Sequence, residues 1–557
     1  MADAIGLVTG VSGAEMTVAL DLDHGSDATS GVQIGSLVKA ATCIGAVLGL
    51  VRAIRTEGAD LRAVLDVDLL GEVANRGMGV PRFNRGVSVY PQVRTPVWVA
   101  DSSDAELVYG RPEEFHARVG TMYQDDSRPA FLITDDLLAK HFAILGTTGS
   151  GKSCAVALLL RALLDRHRCA HVILLDPHDE YSTALGDAAE VLNVDNLELP
   201  CWLLNFEELE AVLVRGGTPE EQQAQASILK DAVVQARRSH AGQPATNSWI
   251  TVDTPVPFRL GDLTQSINET MGKLNKADTA APFLRLRSRL ESLQADRRYR
   301  FMFSGSSHDN LSALIGRFLR IPVEGKPVTI IDLSGLPSEI TDVVVSLLFR
   351  MIFDFAVWSE RGKMPPVLVV CEEAHRYVPA DPNLGFGAST RAISRISKEG
   401  RKYGISLGLV TQRPSELSPT VLAQCSTIFA LRMSNELDRK FVANTLPDGL
   451  GGMLASLASL RRQEAVVIGE GVSVPMRIRF DTLAPEHQPR STSAHFSRDW
   501  QTDSAGDEFL QEGIRRWRRQ MRDSAQPAVP QNGAGSSRDS LLRVRTMVAN
   551  AKGYGNH

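Results

Sequence analysis

Eight consecutive residues, Gly146-Thr147-Thr148-Gly149-Ser150-Gly151-Lys152-Ser153, satisfy the pattern G-x-x-x-x-G-K-[ST] without a mismatch. The chemistry that requires this spacing is phosphate binding. Glycines let successive backbone N–H groups curl around an anion, and a following helix turns its positive end toward it. Lys152 is placed to reach β- and γ-phosphates, and the Ser153 hydroxyl to ligate Mg²⁺. ATP with Mg²⁺ is the ligand pair this implies.

A second constellation lies about 220 residues downstream. The apolar run Val367 to Cys371 leads into Glu372-Glu373-Ala374-His375. Paired acids at the end of a buried strand are costly unless a metal or ligand uses them. Glu372 is expected to help hold Mg²⁺ through water, and Glu373 to orient and deprotonate an attacking water. A further acid, Asp176, ends the strand-like run from His171 and opens Asp176-Pro-His-Asp-Glu-Tyr181. That position suits a role beside the nucleotide, as a contact to the Mg²⁺ at the carboxyl edge of a parallel sheet; a turn-capping role is the alternative. Gln412, in Thr411-Gln412-Arg413-Pro414, is placed to sense a γ-phosphate. Arg391, Arg395, Lys398, Arg401 and Lys402 form a basic stretch before it. Arg401 or Arg395 is the candidate arginine finger for the ATP of a neighbouring subunit.

These side chains need a sheet to hold them. His141 to Leu145 reads as a short buried strand before the glycine loop, and Cys154 to Leu164 as an apolar helix after it. Further strands are expected at 171–176, 327–333, 366–371, 406–411 and 426–431, with a long apolar helix over 340–359. Strands alternating with helices predict an α/β core with a mostly parallel sheet in three layers. Residues 1–115 carry short β-branched runs between glycine and aspartate turns, which predicts a small β-barrel. Residues 205–300 are helical in pattern, an insertion that separates the two parts of the core, 116–204 and 301–485. Residues 486–557 form a tail with a basic helix (Arg515, Arg516, Arg518, Arg519, Arg522), a linker rich in Pro, Gly and Ser, and a terminal amphipathic segment at 541–548.

Composition narrows the class. The 557 residues suffice for several domains, and the net charge of −5 means that any nucleic-acid contact must be local. Six scattered cysteines without a C-x-x-C pair argue against a zinc site or a disulfide framework and suit a reducing, cytoplasmic setting. No signal-peptide pattern and no apolar run of spanning length is visible, so no membrane contact is expected.

In combination, His141-x-x-Ile-Leu-Gly-x-Thr-Gly-Ser-Gly-Lys-Ser153, Asp176-x-His-x-Glu-Tyr181, Asp332-Leu-Ser-Gly-Leu336, Glu372-Glu-Ala-His375, Glu399-Gly-Arg-Lys402 and Thr411-Gln-Arg-Pro414 resemble the HerA family of hexameric ATPases, related to the FtsK DNA pumps. The likeness spans about residues 1 to 480. It implies a RecA-like core, an N-terminal barrel that docks partners, and an inserted helical bundle. It implies a homo-hexamer with ATP at subunit interfaces and duplex DNA in the pore. It carries Lys152 and Ser153 as nucleotide and Mg²⁺ contacts, Glu373 as catalytic acid/base and Gln412 as sensor. It also points to a cation acting in trans just before the first core strand, where this chain has Lys140 rather than Arg. Lys lacks the planar fork of Arg, which departs from the pattern. The family's partners are a nuclease of the NurA type, another nuclease, or a sirtuin-like NAD-degrading protein, in end resection or antiphage defence.

The expected function is therefore a ring-forming, DNA-stimulated ATPase that moves duplex DNA or drives an effector. The alternative is an ATP-controlled scaffold that assembles and activates an effector with little translocation. A superfamily-2 helicase, suggested by Glu-Glu-Ala-His, fits poorly with the long insertion. Residues Arg376 to Arg391 are the candidate pore segment.

Overall fold

A computed structural model describes residues 4–20, 32–57, 62–74, 81–241, 249–273, 280–304, 308–381, 383–384, 387–445, 454, 456–490, 496–501 and 506–519. The linker and terminal segment of the tail, with Arg522, lie outside the described residues, as do three positions of the 376–391 segment.

The first part of the chain forms β1 (Gly6–Ser12), β2 (Glu15–Leu20), β3 (Leu37–Thr42), β4 (Gly45–Glu57), β5 (Arg62–Ala74), β6 (Arg82–Arg85) and β7 (Pro96–Val99). They pair in the order β2-β1-β7-β3-β4-β5-β6, and β2 also pairs with β5. That second pairing closes six strands into a barrel and leaves β6 as an outer strand. Alternation in β1 and β2 turns Val8, Met16 and Val18 inward, where they meet Val38, Val51, Leu65, Val67 and Val97.

The second sheet carries the chemistry. Its strands are β8 (His116–Met122), β9 (Pro129–Ile133), β10 (His141–Leu145), β11 (Val172–Asp176), β12 (Ala189–Leu192), β13 (Val328–Asp332), β14 (Val367–Cys371), β15 (Ile405–Thr411), β16 (Cys425–Leu431), β17 (Glu464–Gly469) and β18 (Met476–Phe480). Their order is β12-β13-β11-β14-β15-β10-β16-β17-β18-β8-β9. The run from β12 to β16 is parallel throughout. From β16 to β9 every pairing is antiparallel. The mostly parallel sheet expected from the sequence is thus present, with an antiparallel extension that the short run of β17 and the arginine-interrupted run of β18 did not announce.

Strands β10, β11 and β14 are buried at every residue. Successive side chains point to opposite faces. Ala143, Leu145, Ile173, Leu175, Val369 and Cys371 enter one core, with the long helix Ser338–Trp358. Phe142, Ile144, Leu174 and Val370 enter the other, with the helix Lys152–Arg166. A sheet covered on both faces explains why these strands read as unbroken apolar runs.

The helices Phe206–Leu213, Pro219–His240, Leu260–Gly272 and Ala281–Ala295 follow β12. Three of them are entered by design of the sequence. Asn205 caps the first and Thr218 the second, each in a reciprocal capping box, and Pro282 stands in the first turn of the fourth. Their apolar residues, among them Leu209, Leu229, Leu263 and Leu286, belong to the same buried cluster as Val344 and Leu348 of Ser338–Trp358. The inserted helices therefore share the core of the sheet's flank.

A separate unit comprises Ser493–His557. Its described part contains the helix Asp507–Arg519. Phe509, Leu510, Ile514 and Trp517 are all exposed on it.

Candidate active site

The parallel run brings five strand ends to one edge. From β13 to β10 they end in Asp332, Asp176, Cys371 followed by Glu372, Thr411 followed by Gln412, and Leu145 followed by Gly146. Candidate residues separated by hundreds of positions thus become neighbours because their strands are.

The loop between β10 and the helix Lys152–Arg166 has left-handed backbone at Gly149 (φ 73°) and Gly151 (φ 103°). Side chains other than glycine adopt these values at a cost, so the two glycines let the loop curl. Thr147 anchors it sideways, donating from N and Oγ1 to the Arg432 carbonyl, each at 3.0 Å. Lys152 is buried, and its Nζ donates to Thr147 O at 3.2 Å. Burial pulls the Lys152 ammonium down from its usual range, and the negative Glu372, Glu373 and Glu180 pull it back up. Ser150 Oγ is buried without a hydrogen-bond partner among the described residues. Such a donor is costly to leave unpaired and suits a phosphate oxygen.

Glu372 and Glu373 follow β14 and are both 4% exposed. The Tyr181 hydroxyl donates to Glu372 Oε2 at 2.9 Å. Burial holds the Glu372 carboxyl well above the usual carboxylate range, while Tyr181 and Lys152 oppose that shift. Glu373 has left-handed backbone, φ 51°, a strained conformation of the sort that accompanies functional sites. Its Oε1 accepts from Gln412 Nε2, and Gln412 Oε1 accepts from Thr148 Oγ1. Gln412 therefore bridges the glycine loop and the acid. Glu373 Oε2 is buried and makes no hydrogen bond; His375 Nδ1 lies 3.3 Å away, an ion-pair distance only.

Asp176 stands differently from the expected metal contact. It is fully buried, and its oxygens accept from the backbone N–H groups of His178 (3.2 Å) and Tyr181 (3.0 Å). Burial raises its carboxyl to about 6, against these hydrogen bonds. The side chain thus caps the turn that carries Tyr181 and bears on Glu372 through it. The turn-capping alternative, and not direct ligation, matches this geometry.

The trans candidates lie elsewhere. Lys140 precedes β10, and Arg401 precedes β15, so both sit at the edge of the sheet opposite the glycine loop. Five strand residues at ~3.3 Å each put Lys140 roughly 16 Å or more from Gly146 of its own chain. Lys140 Nζ pairs with Glu470 at 2.5 Å. Arg395 stacks over the Phe353 ring, 4.3 Å from its centroid, and faces Asp354 at 3.7 Å. That side chain is occupied within its own chain, which disfavours it as a finger. Arg401 is exposed and has no ion-pair partner among the described residues. Arg391, in the candidate pore segment, pairs with Glu207.

Sequence reading missed one feature. A pocket of about 80 Å³ beside the glycine loop is lined by Gly151, Cys154, Ala155, Gln463, Phe480, Asp481, Leu483 and Gln488. Its far wall comes from the loop before β17 and the chain after β18, which carry no motif.

A glycine loop between strand and helix, a buried lysine facing paired acids, and a glutamine spanning the two define a P-loop ATPase. Residues 117–352 match the family described as "Helicase HerA, central domain". The chain therefore resembles the HerA helicases, most directly through this central part. It is 26% identical over 434 residues to the DNA double-strand break repair helicase HerA of Pyrococcus furiosus, covering 70% of this chain and 73% of that one. Likewise it is 26% identical over 459 residues to the protein of that name from Sulfurisphaera tokodaii, covering 78% and 86%. Among solved structures, VirB4 of Thermoanaerobacter pseudethanolicus is similar over 68% of this chain and 98% of its own, at 17% identity and a TM-score of 0.48.

Proposed function

We propose that this chain hydrolyses ATP at Glu373 and uses the cycle to move duplex DNA through a homo-hexameric ring. The observation that carries the chemistry is the bridge Thr148–Gln412–Glu373, which joins the phosphate loop to the acid. Lys152 neutralises charge on the β- and γ-phosphates. Glu373, held at Oε1 by Gln412, takes the proton of the attacking water at Oε2. A γ-phosphate entering beside Thr148 competes for the Gln412 amide, so the β15 end registers which nucleotide is bound. Among the described residues no three His, Cys, Asp or Glu side chains make a metal site by themselves. Ser153, Glu372 through water, and the phosphate oxygens together form a donor set that fits Mg²⁺. When bound, Mg²⁺ supplies charge neutralisation of the phosphates. The pocket between Gly151 and Gln488 takes the adenine base, with Phe480 and Leu483 as apolar walls.

The ring and the DNA rest on the relatives, which are named as DNA double-strand break repair helicases, and on the position of Lys140 and Arg401. Both cations lie at the sheet edge opposite their own loop; Arg401, exposed and without an ion-pair partner among the described residues, suits contact with a neighbour's nucleotide better than Lys140, which is paired with Glu470. ATP hydrolysis measured with and without duplex DNA tests this: stimulation is expected, and the scaffold reading expects none. That second reading draws on the barrel, where Leu7, Ile34, Ile54 and Val93 are exposed apolar side chains. A nuclease or NAD-degrading effector docked there would raise hydrolysis in a DNA-independent way. Among the described residues no helix is long and apolar enough to cross a membrane.

A further inference from the structure

His375 belongs to the Glu-Glu-Ala-His motif, yet neither phosphate binding nor proton abstraction uses it. It stands in the short turn Ala374–Arg376, directly after the strained Glu373 backbone. Its Nδ1 lies 3.0 Å from Thr411 Oγ1 and 3.3 Å from Glu373 Oε2. Thr411 Oγ1 also accepts the Arg413 N–H at 3.0 Å, and Thr411 is fully buried. A lone pair on Nδ1 would be repelled by the carboxylate oxygen beside it. Nδ1 therefore carries the proton and Nε2 does not. Burial lowers the imidazole's pKa, while Glu373 and Glu416 raise it and Arg413 and Arg376 lower it. The ring is a neutral donor near neutral pH.

Thr411 and Gln412 are adjacent at the end of β15. Gln412 holds Glu373 Oε1 directly. Thr411, through His375, addresses Oε2. One oxygen of the acid is thus held from this strand end by a hydrogen bond, and the other faces the ring that Thr411 holds, 3.3 Å away and without a hydrogen bond of its own. We propose that His375 is a positioning residue for ATP hydrolysis: held by Thr411, its imidazole aims Glu373 Oε2 at the attacking water and couples the end of β15 to that acid. The proposal rests on Glu373 being the base. A ring that only filled space there would tolerate any side chain of similar volume.

The test compares full-length chains for steady-state ATP hydrolysis and for binding of a fluorescent ATP analogue, with thermal unfolding as the control for folding. His375→Ala lowers kcat by about tenfold or more, with the affinity for the analogue changed by less than about twofold. His375→Asn, whose amide nitrogen falls near the Nδ1 position, restores most of kcat. His375→Gln, whose amide falls near Nε2, does not. Thr411→Val lowers kcat in the same direction, and combining it with His375→Ala adds little further loss. Wild-type kcat in His375→Ala overturns the proposal. So does an equal loss in the Asn and Gln variants, or a loss that follows unfolding temperature. Where the alanine variant does not fold, the Asn–Gln comparison decides alone. Glu373→Gln separates the two readings. If it turns over ATP normally, the base assignment fails and takes the proposal with it. If it is inactive while His375→Ala is fully active, only the role of His375 fails.

Discussion

Tyr181 shows how a single side chain ties two strand ends together. Its backbone N–H is taken by Asp176 and its hydroxyl by Glu372. Tyr181→Phe removes the donor and leaves a buried carboxylate oxygen unpaired, which costs about 1–3 kcal/mol. Urea unfolding should detect that loss, and an unchanged midpoint would show that Glu372 finds another partner. Lys152 predicts a different effect. Lys152→Ala should abolish binding of ATP, measured by a fluorescent analogue, because Lys152 is the cation the acids face inside the loop. Undiminished affinity would remove the lysine from the phosphate site. The glycine loop and the paired acids were legible because each motif is contiguous and its chemistry admits few residue types. Asp176 was less so: an acid at a strand end suits a ligand or a turn cap equally, and only its backbone partners distinguish them. The link from Thr411 through His375 to Glu373 joins residues 36 apart and leaves no spacing pattern to read.

At the scale of elements, His141 fastens three of them. It is buried at the start of β10, where Nδ1 accepts the Leu407 N–H of β15 at 3.0 Å. Nε2 then carries the proton and donates to Ser397 O of the helix Gly387–Glu399 at 3.0 Å. Burial lowers its pKa below 6.5, against backbone contacts with Ser397 and Ile396. The sign follows: the unfolded chain takes up a proton near 6.5 and the folded chain does not. Stability from this group is present above 6.5 and is lost as pH falls through the folded value. His141→Gln keeps a donor and an acceptor but does not titrate. Its unfolding temperature should fall less steeply than that of the unaltered chain between pH 7 and 5; parallel curves would contradict the assignment. The core strands of the sheet were readable as five-residue apolar runs because both faces are covered. The antiparallel extension was not, since arginines at 477 and 479 interrupt β18 and its neighbours β8 and β17 come from opposite ends of the core. The pocket beside the loop was hidden for the same reason: its walls are assembled from segments that signal nothing alone.

The whole molecule is organised by the two edges of one sheet. The carboxyl edge holds the glycine loop, Glu372, Glu373 and Gln412; the opposite edge holds Lys140 and Arg401. A single chain cannot bring both to one nucleotide, so the proposed ring completes each site with a neighbour's cations. Arg401→Ala should hydrolyse ATP poorly while binding it normally. Mixing Arg401→Ala with Glu373→Gln chains should restore part of the activity, because some interfaces then pair an intact acid with an intact arginine. Failure of any mixture to exceed its inactive components would place Arg401 outside the shared site. Lys140→Ala tests the second cation in the same way, and its pairing with Glu470 makes Glu470→Gln the companion variant. The most direct measurement of the central claim is steady-state ATP hydrolysis by the unaltered and Glu373→Gln chains, each with and without duplex DNA. The account predicts turnover that rises with DNA in the first, and in the second a loss of about 10²–10⁴-fold under both conditions. Hydrolysis by Glu373→Gln at the unaltered rate would contradict it.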